Sequence, residues 1–106
     1  MSDYDTEFHK CLDKAKGIKN KLNKRSENIN NKMPSSQIDN LIKDSLEEFS
    51  KMITNLENLT NVSNISNQEM NRRNDNNKKI EDMFLQFKRQ IDTYKVNLIY
   101  IEIFQF

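Results

Sequence analysis

The chain has 106 residues, of which 35% are hydrophobic and 31% are charged, and its formal net charge is +1. This length suits one domain, and a hydrophobic content below the usual ~45% limits the core to a narrow seam. One glycine and one proline provide too few turn signals for a β-sandwich or barrel. The near-neutral charge argues against a nucleic-acid partner. We therefore expect a protein built from long helices.

The first segment places its apolar residues on one face of a helix. The steps between them are four, three, four, three, four and seven, which is a heptad pattern. The residues are Tyr4, Phe8, Cys11, Ala15, Ile18, Leu22 and Ile29. A cluster of asparagines and then Pro34 ends the pattern, because proline disfavours the helical conformation of the residue before it. The spacing predicts a helix over residues 3–31.

The second segment begins after Pro34, where Ser35 or Ser36 can serve as N-cap and Asp39 lies in the first turn. The alternation of four and three then repeats. Its seam is Ile38, Ile42, Ser45, Phe49, Met52, Leu56 and Leu59. Further apolar residues at Leu41, Leu46 and Ile53 widen the stripe enough for two neighbours. The pattern predicts a helix over residues 36–62, followed by a polar linker.

The third segment continues the same spacing over residues 67–97. Its seam is Met70, Arg73, Asn77, Ile80, Phe84, Phe87, Ile91, Tyr94, Leu98 and Ile101. Because the first seam positions are polar, we expect the first two turns to fray or to project beyond the core. Three amphipathic helices with short connectors predict an all-α, antiparallel, up-down-up three-helix bundle. The alternative is a set of long coiled coils that need partner chains, but Pro34 and the wide second stripe favour the bundle.

The charges are distributed unevenly between the first two helices. Lysines are concentrated along the middle of the first helix, and the second helix carries many acids. The basic residues are Lys10, Lys14, Lys16, Lys19, Lys21, Lys24 and Arg25, and the acids are Asp39, Asp44, Glu47, Glu48 and Glu57. The simpler interpretation is that two neighbouring helices complement each other's charge. The alternative is a basic face that contacts an anionic membrane surface.

Residues that could support catalysis or metal binding are scarce. His9 and Cys11 are two residues apart and would point about 200° apart on a helix, so they do not form a nucleophile–base pair. One cysteine excludes an internal disulfide and a four-cysteine zinc site. We predict no catalytic, cofactor-binding or metal-binding residues and no cofactor. The aromatic set Phe49, Phe84, Phe87 and Tyr94 could line a peptide groove, but helical spacing favours a core role.

The residues from "IDNLIKDSLEEFSKMITNLENLTN" to "NRRNDNNKKIEDMFLQFKRQIDTY" resemble the N-terminal three-helix regulatory domain of SNARE proteins, and within them the Golgi Qb type of the membrin group. The resemblance spans residues 3 to 95. It includes a second helix ending on Leu56 and Leu59, the Arg72–Arg73 pair, and a third helix carrying Ile80, Phe84 and Phe87. Neither the SNARE motif with its central glutamine nor the membrane-spanning helix of that family is found in this sequence.

The resemblance implies a non-catalytic protein-interaction domain in vesicle transport between the endoplasmic reticulum and the Golgi. It implies helical partners such as SNARE or tethering proteins, and membrane contact that is peripheral at most. The polar, acidic start "MSDYDTEF" is unlike a signal peptide, so we expect a cytoplasmic location, at the cytosolic face of Golgi or endoplasmic reticulum membranes. The alternative is a structural subunit of a cytoplasmic coiled-coil assembly unrelated to traffic.

The final segment, "VNLIYIEIFQF", is apolar on every side and differs from the rest of the chain. A membrane span needs ~20 apolar residues, so this shorter segment with Glu102 in its middle is not an anchor. Its β-branched and aromatic residues favour a strand over a helix, yet no other segment offers a strand to pair with it. We therefore interpret residues 1–95 as the bundle and residues 96–106 as an irregular apolar tail foreign to it.

Deleting residues 96–106 is expected to leave helicity and melting temperature nearly unchanged and to increase solubility. The physical reason is that an exposed, apolar, β-prone segment promotes aggregation, whereas a buried one would contribute roughly 25 cal/mol per Å² of apolar surface. Circular dichroism and sedimentation of the truncated chain check this. A truncated chain that melts much lower would place the tail in the core.

Overall fold

The computed structural model describes the backbone of residues 2–104 and the side chains of residues 2–91. Within that backbone, three helices and no strand occur: α1 (Asp3–Asn30), α2 (Ser36–Thr60) and α3 (Asn67–Phe104). The molecule measures 63 × 22 × 17 Å. The predicted all-α three-helix bundle is confirmed, and the predicted bounds of α1 and α2 are correct to within two residues.

The helices run up, down and up. Lys14 and Arg25 of α1 pair with Glu48 and Asp39 of α2, so advancing along α1 means moving back along α2. In contrast, α1 and α3 start together, because Asp5 of α1 lies 2.9 Å from the guanidinium of Arg72 in α3. Helices α1 and α3 are therefore parallel, and α2 is antiparallel to both.

The core lies between all three helices and consists of predicted seam residues together with Ile53, one of the residues that widen the stripe of α2. Its members are Tyr4, Cys11, Ala15, Ile18 and Leu22 from α1, Ile42, Phe49, Ile53 and Leu56 from α2, and Ile80, Phe87 and Ile91 from α3. Helix α2 contacts both α1 and α3 as predicted from its wide stripe, although Leu41 of that stripe is 51% exposed. Of the helices in the part of the chain described here, none has both the length and the apolar character to cross a membrane.

The start of α3 differs from the prediction. Its first two turns are neither frayed nor outside the core: Ser66 caps the helix by accepting from the Glu69 amide at 3.1 Å, and Arg73 and Asn77 are buried. The prediction was wrong because it treated polar seam positions as exposed, whereas these side chains find hydrogen-bond partners inside the bundle.

The end of α3 also differs, since its backbone stays helical to Phe104 and residues 96–104 do not adopt the extended form that their composition favours. The helix continues because Leu98 and Ile101 extend the spacing of three and four, and no strand in residues 2–104 is present to pair with them. The side chains of Tyr94 and of residues 96–106 lie outside the described residues. That the tail is foreign to the bundle therefore stays a prediction.

The connection from α1 to α2 closes with a Schellman motif. The Met33 amide donates to the Asn28 carbonyl at 2.7 Å and the Lys32 amide to the Ile29 carbonyl at 3.0 Å. Lys32 adopts a φ of 58°, in the left-handed region where glycine is the usual residue. Helix α2 then begins after Ser35, one of the two predicted N-caps, whose side chain makes no capping hydrogen bond.

Replacing Lys32 by glycine is expected to raise the free energy of unfolding by about 0.5–1 kcal/mol, because glycine adopts positive φ without a steric penalty from Cβ. Chemical denaturation measures the change. Lys24→Gly, at an exposed position inside α1, is the matched control and should lower stability by about 1 kcal/mol. Equal destabilisation by the two substitutions would contradict the left-handed conformation at residue 32.

Candidate functional site

A buried polar cluster joins the three helices near the start of α1. The Tyr4 hydroxyl lies 2.7 Å from Asn77 Oδ1 and 2.9 Å from the Arg73 carbonyl oxygen, so these acceptors share its one proton. Asn77 Nδ2 donates to the Thr60 hydroxyl at 2.7 Å, and that hydroxyl donates to the Leu56 carbonyl at 2.9 Å. One chain of hydrogen bonds therefore runs from α1 through α3 to α2.

The side chain of Arg73 occupies the centre of this cluster and is only 7% exposed. Its Nε donates to Glu69 Oε1 at 2.9 Å and its Nη1 to the Leu59 carbonyl at 2.9 Å. The guanidinium carbon is 4.8 Å from the centroid of the Tyr4 ring, a cation–π distance. A buried arginine is tolerated here because its charge is paired with Glu69 and its Nε and Nη1 donate hydrogen bonds.

The neighbouring Arg72 lies at the surface of the same cluster. Its Nη2 is 2.9 Å from Asp5 Oδ1 and 2.6 Å from Glu69 Oε1, so it bridges α1 and α3. Hydrogen bonds from Arg72 and Arg73 lower the pKa of Glu69 to about 2, and the hydrogen bond from Arg72 lowers the pKa of Asp5. The Arg72–Arg73 pair thus stabilises the contact between helices.

The uneven charge of α1 and α2 is partly explained by contacts between them. Lys14 pairs with Glu48, and its hydrogen bond lowers the pKa of that carboxyl. Arg25, 4% exposed, places Nε 2.5 Å from Asp39 Oδ1. At these two pairs the helices complement each other's charge, as the simpler interpretation predicted.

An open groove of about 780 Å³ lies between α1 and α3. Its floor is apolar and its walls are polar. The floor consists of Leu12, Ala15, Leu22, Met83 and Phe87. The α1 wall consists of His9, Asp13, Lys16, Lys19 and Asn23, and the α3 wall consists of Gln86 and Gln90. Within residues 2–91, this groove is a candidate for a binding site.

Sequence reasoning did not find the groove because two residues of its floor lie beside the seam. Leu12 and Met83 each stand one position away from a seam residue, next to Cys11 and Phe84, and both are half-buried. The sequence pattern that could have predicted the groove is a second row of residues on α1. In this row, residues 12, 16, 19 and 23 repeat the spacing of four and three. That row faces the side of α1 that α2 does not cover.

The two residues with potential nucleophilic chemistry lie in different surroundings. Cys11 is fully buried in the core, and desolvation raises the pKa of its thiol to about 11. His9 is exposed and lies at the edge of the groove. Among the described residues, no group of three or more His, Cys, Asp or Glu side chains could hold a metal ion.

The aromatic set predicted for the core is only partly buried. Phe49 and Phe87 are buried, while Phe84 is half-buried. The ring centroid of Phe49 lies 6.0 Å from that of Phe84 and 6.4 Å from that of Phe87, within the range of favourable aromatic pairs. Phe87 therefore belongs both to the core and to the floor of the groove.

Comparison with known proteins identifies no relative, because no family model, curated protein or solved structure matches the chain.

Replacing Tyr4 by phenylalanine is expected to change the stability of the bundle at alkaline pH. Burial raises the pKa of Tyr4 from its ordinary value of 10.0 to about 12. Below pH 10 both the folded and the unfolded chain keep the phenolic proton. The stabilising effect of the buried, protonated Tyr4 side chain is then complete. Between pH 10 and 12 the unfolded chain loses this proton first, so the free energy of unfolding falls as pH rises.

The phenylalanine variant has no phenol to ionise at residue 4, so its free energy of unfolding should fall less steeply between pH 10 and 12. At pH 7 the variant should lose about 1–3 kcal/mol, because buried acceptors lose their donor. Urea denaturation at several pH values measures both effects, and lysine titration cancels because it is common to both proteins. Identical pH dependence of the two would show that Tyr4 is accessible to water.

Proposed function

We propose that the chain is a non-catalytic, helical protein-interaction domain that acts in vesicle transport between the endoplasmic reticulum and the Golgi. The observation that supports the interaction role is the open groove between α1 and α3, with its apolar floor and polar walls. Two parallel helices with such a groove between them can accept the side-chain ridge of a further helix. Binding of an amphipathic helix in a groove is a common mode of recognition.

The surroundings of His9 and Cys11 support a non-catalytic role. A thiol with its pKa raised to about 11 stays protonated at neutral pH, and its burial keeps it away from a substrate. The histidine is exposed on the groove side, so the two do not act on a common substrate atom.

The trafficking role is supported by the resemblance of residues 3 to 95 to the regulatory domain of membrin-type SNARE proteins and by the matching order of three helices. On this proposal the partners are SNARE or tethering proteins. The domain would act at the cytosolic face of Golgi or endoplasmic reticulum membranes and contact the membrane only peripherally.

Proximity labelling in cells of the source organism tests the proposal. The tagged wild-type chain should label SNARE or tethering proteins of the early secretory pathway. Met83→Glu, which places a charge on the groove floor, should abolish that labelling. Gln86→Trp changes an exposed wall residue and should obstruct the groove without disturbing the core.

Leu85→Glu is the matched control, because Leu85 lies on the same helix, is 47% exposed and does not line the groove. This variant should label the same proteins as the wild type, and thermal melting verifies that all variants fold. Labelling of a cytoplasmic helical assembly without traffic proteins would favour the structural-subunit alternative. Labelling that neither groove variant alters would contradict the groove as the interaction site.

A further inference from the structure

The walls of the groove differ in charge. The α1 wall carries Lys16 and Lys19, both exposed, together with one acid, Asp13. Among the residues with described side chains, the α3 wall consists of the neutral amides of Gln86 and Gln90. A partner in the groove therefore meets cations on one side and amides on the other.

The two lysines are available to a partner. Other lysines of α1 have acidic neighbours: Lys10 lies 3.2 Å from Glu7, and Lys14 pairs with Glu48. Among the described residues no ion pair involves Lys16 or Lys19. Acidic groups above the α1 wall would complement them.

The α1 wall of the groove has the length of a short helix. This wall extends from His9 to Asn23, which is about 21 Å, or four turns, at 1.5 Å per residue. The apolar stripe of a partner helix, with residues at i, i+3 or i+4 and i+7, matches a floor formed by side chains at helical spacing on α1 and α3.

We infer that the partner is an amphipathic helix of about four turns with acidic residues along one flank only, the flank that faces α1. This inference rests on the proposed function, since it specifies the helix that the groove binds. An anionic membrane is the less suitable occupant, because the apolar floor is concave and lies below its walls, where a flat lipid surface does not reach it.

Three synthetic peptides test the inference. Each is a fluorescein-labelled helix of four turns with the same leucine stripe and a lactam bridge on the outer face, because short isolated helices are marginally stable. One flank carries glutamate, glutamine or lysine in the three versions. By fluorescence anisotropy, the glutamate peptide should bind about fivefold more tightly than the glutamine peptide, because it gains two exposed ion pairs. The lysine peptide should bind more weakly than the glutamine peptide.

Charge reversal on the protein provides the matched comparison. In the double variant Lys16→Glu, Lys19→Glu the order of the three peptides should invert. The control Lys43→Glu, Lys51→Glu, at exposed positions of α2, should keep the wild-type order. NMR chemical-shift changes should cluster on Leu12, Met83 and Phe87.

Equal binding of the three peptides in the groove would overturn the acidic flank while leaving the proposed interaction role intact. Binding of phosphatidylserine vesicles that depends on Lys16 and Lys19, with no peptide bound, would overturn the inference in favour of a membrane. Selective peptide binding without labelling of traffic proteins in cells would support the inference and remove only the trafficking part of the proposed function.

Discussion

The hydrogen bonds of the Tyr4 hydroxyl fix the register on which the remainder of the bundle depends. A heptad seam alone allows helices to slide by one repeat and still bury apolar residues. Tyr4 reaches Asn77 and the Arg73 carbonyl in α3, and Asn77 continues to Thr60 in α2. A slip of any helix would leave several buried polar groups without partners, each at a cost of about 1–3 kcal/mol. The network therefore selects one alignment among those that the seam permits.

Helix positions and the seam could be predicted from sequence because both follow from local rules. The spacing of three and four identified nearly every core residue, and Pro34 marked the break between α1 and α2. The buried polar residues could not be predicted in this way. Arg73 and Asn77 have polar side chains, which local rules place at the surface. The Tyr4 hydroxyl that hydrogen-bonds to the Arg73 carbonyl and to Asn77 Oδ1 is 69 and 73 residues away in the chain. Only the tertiary arrangement shows that burial is compatible with those side chains.

The groove was harder to predict for a different reason. A position beside the seam, such as Leu12 or Met83, is covered or open depending on how closely two helices approach. That approach is set by packing elsewhere: α2 lies on the side of α1 that carries Lys14, Lys21 and Arg25, where Glu48, Ser45 and Asp39 contact them. Helix α3 packs on another side of α1, and the described residues of its groove wall are the amides of Gln86 and Gln90. Lys14 and Arg25 are therefore paired with acids of α2, whereas no ion pair among the described residues involves Lys16 or Lys19 on the groove side.

The polar cluster and the groove belong to the same pair of helices, and this connects stability to binding. Leu12 lies eight residues after Tyr4 in α1, and Met83 lies six residues after Asn77 in α3. Because α1 and α3 are parallel and rigid over this short distance, the alignment fixed at Tyr4 determines that Leu12 and Met83 share one floor. A partner helix bound there would contact both and resist the same slip that the Tyr4 hydrogen bonds resist. Binding in the groove and burial of the polar cluster therefore favour the same register, so each should stabilise the other.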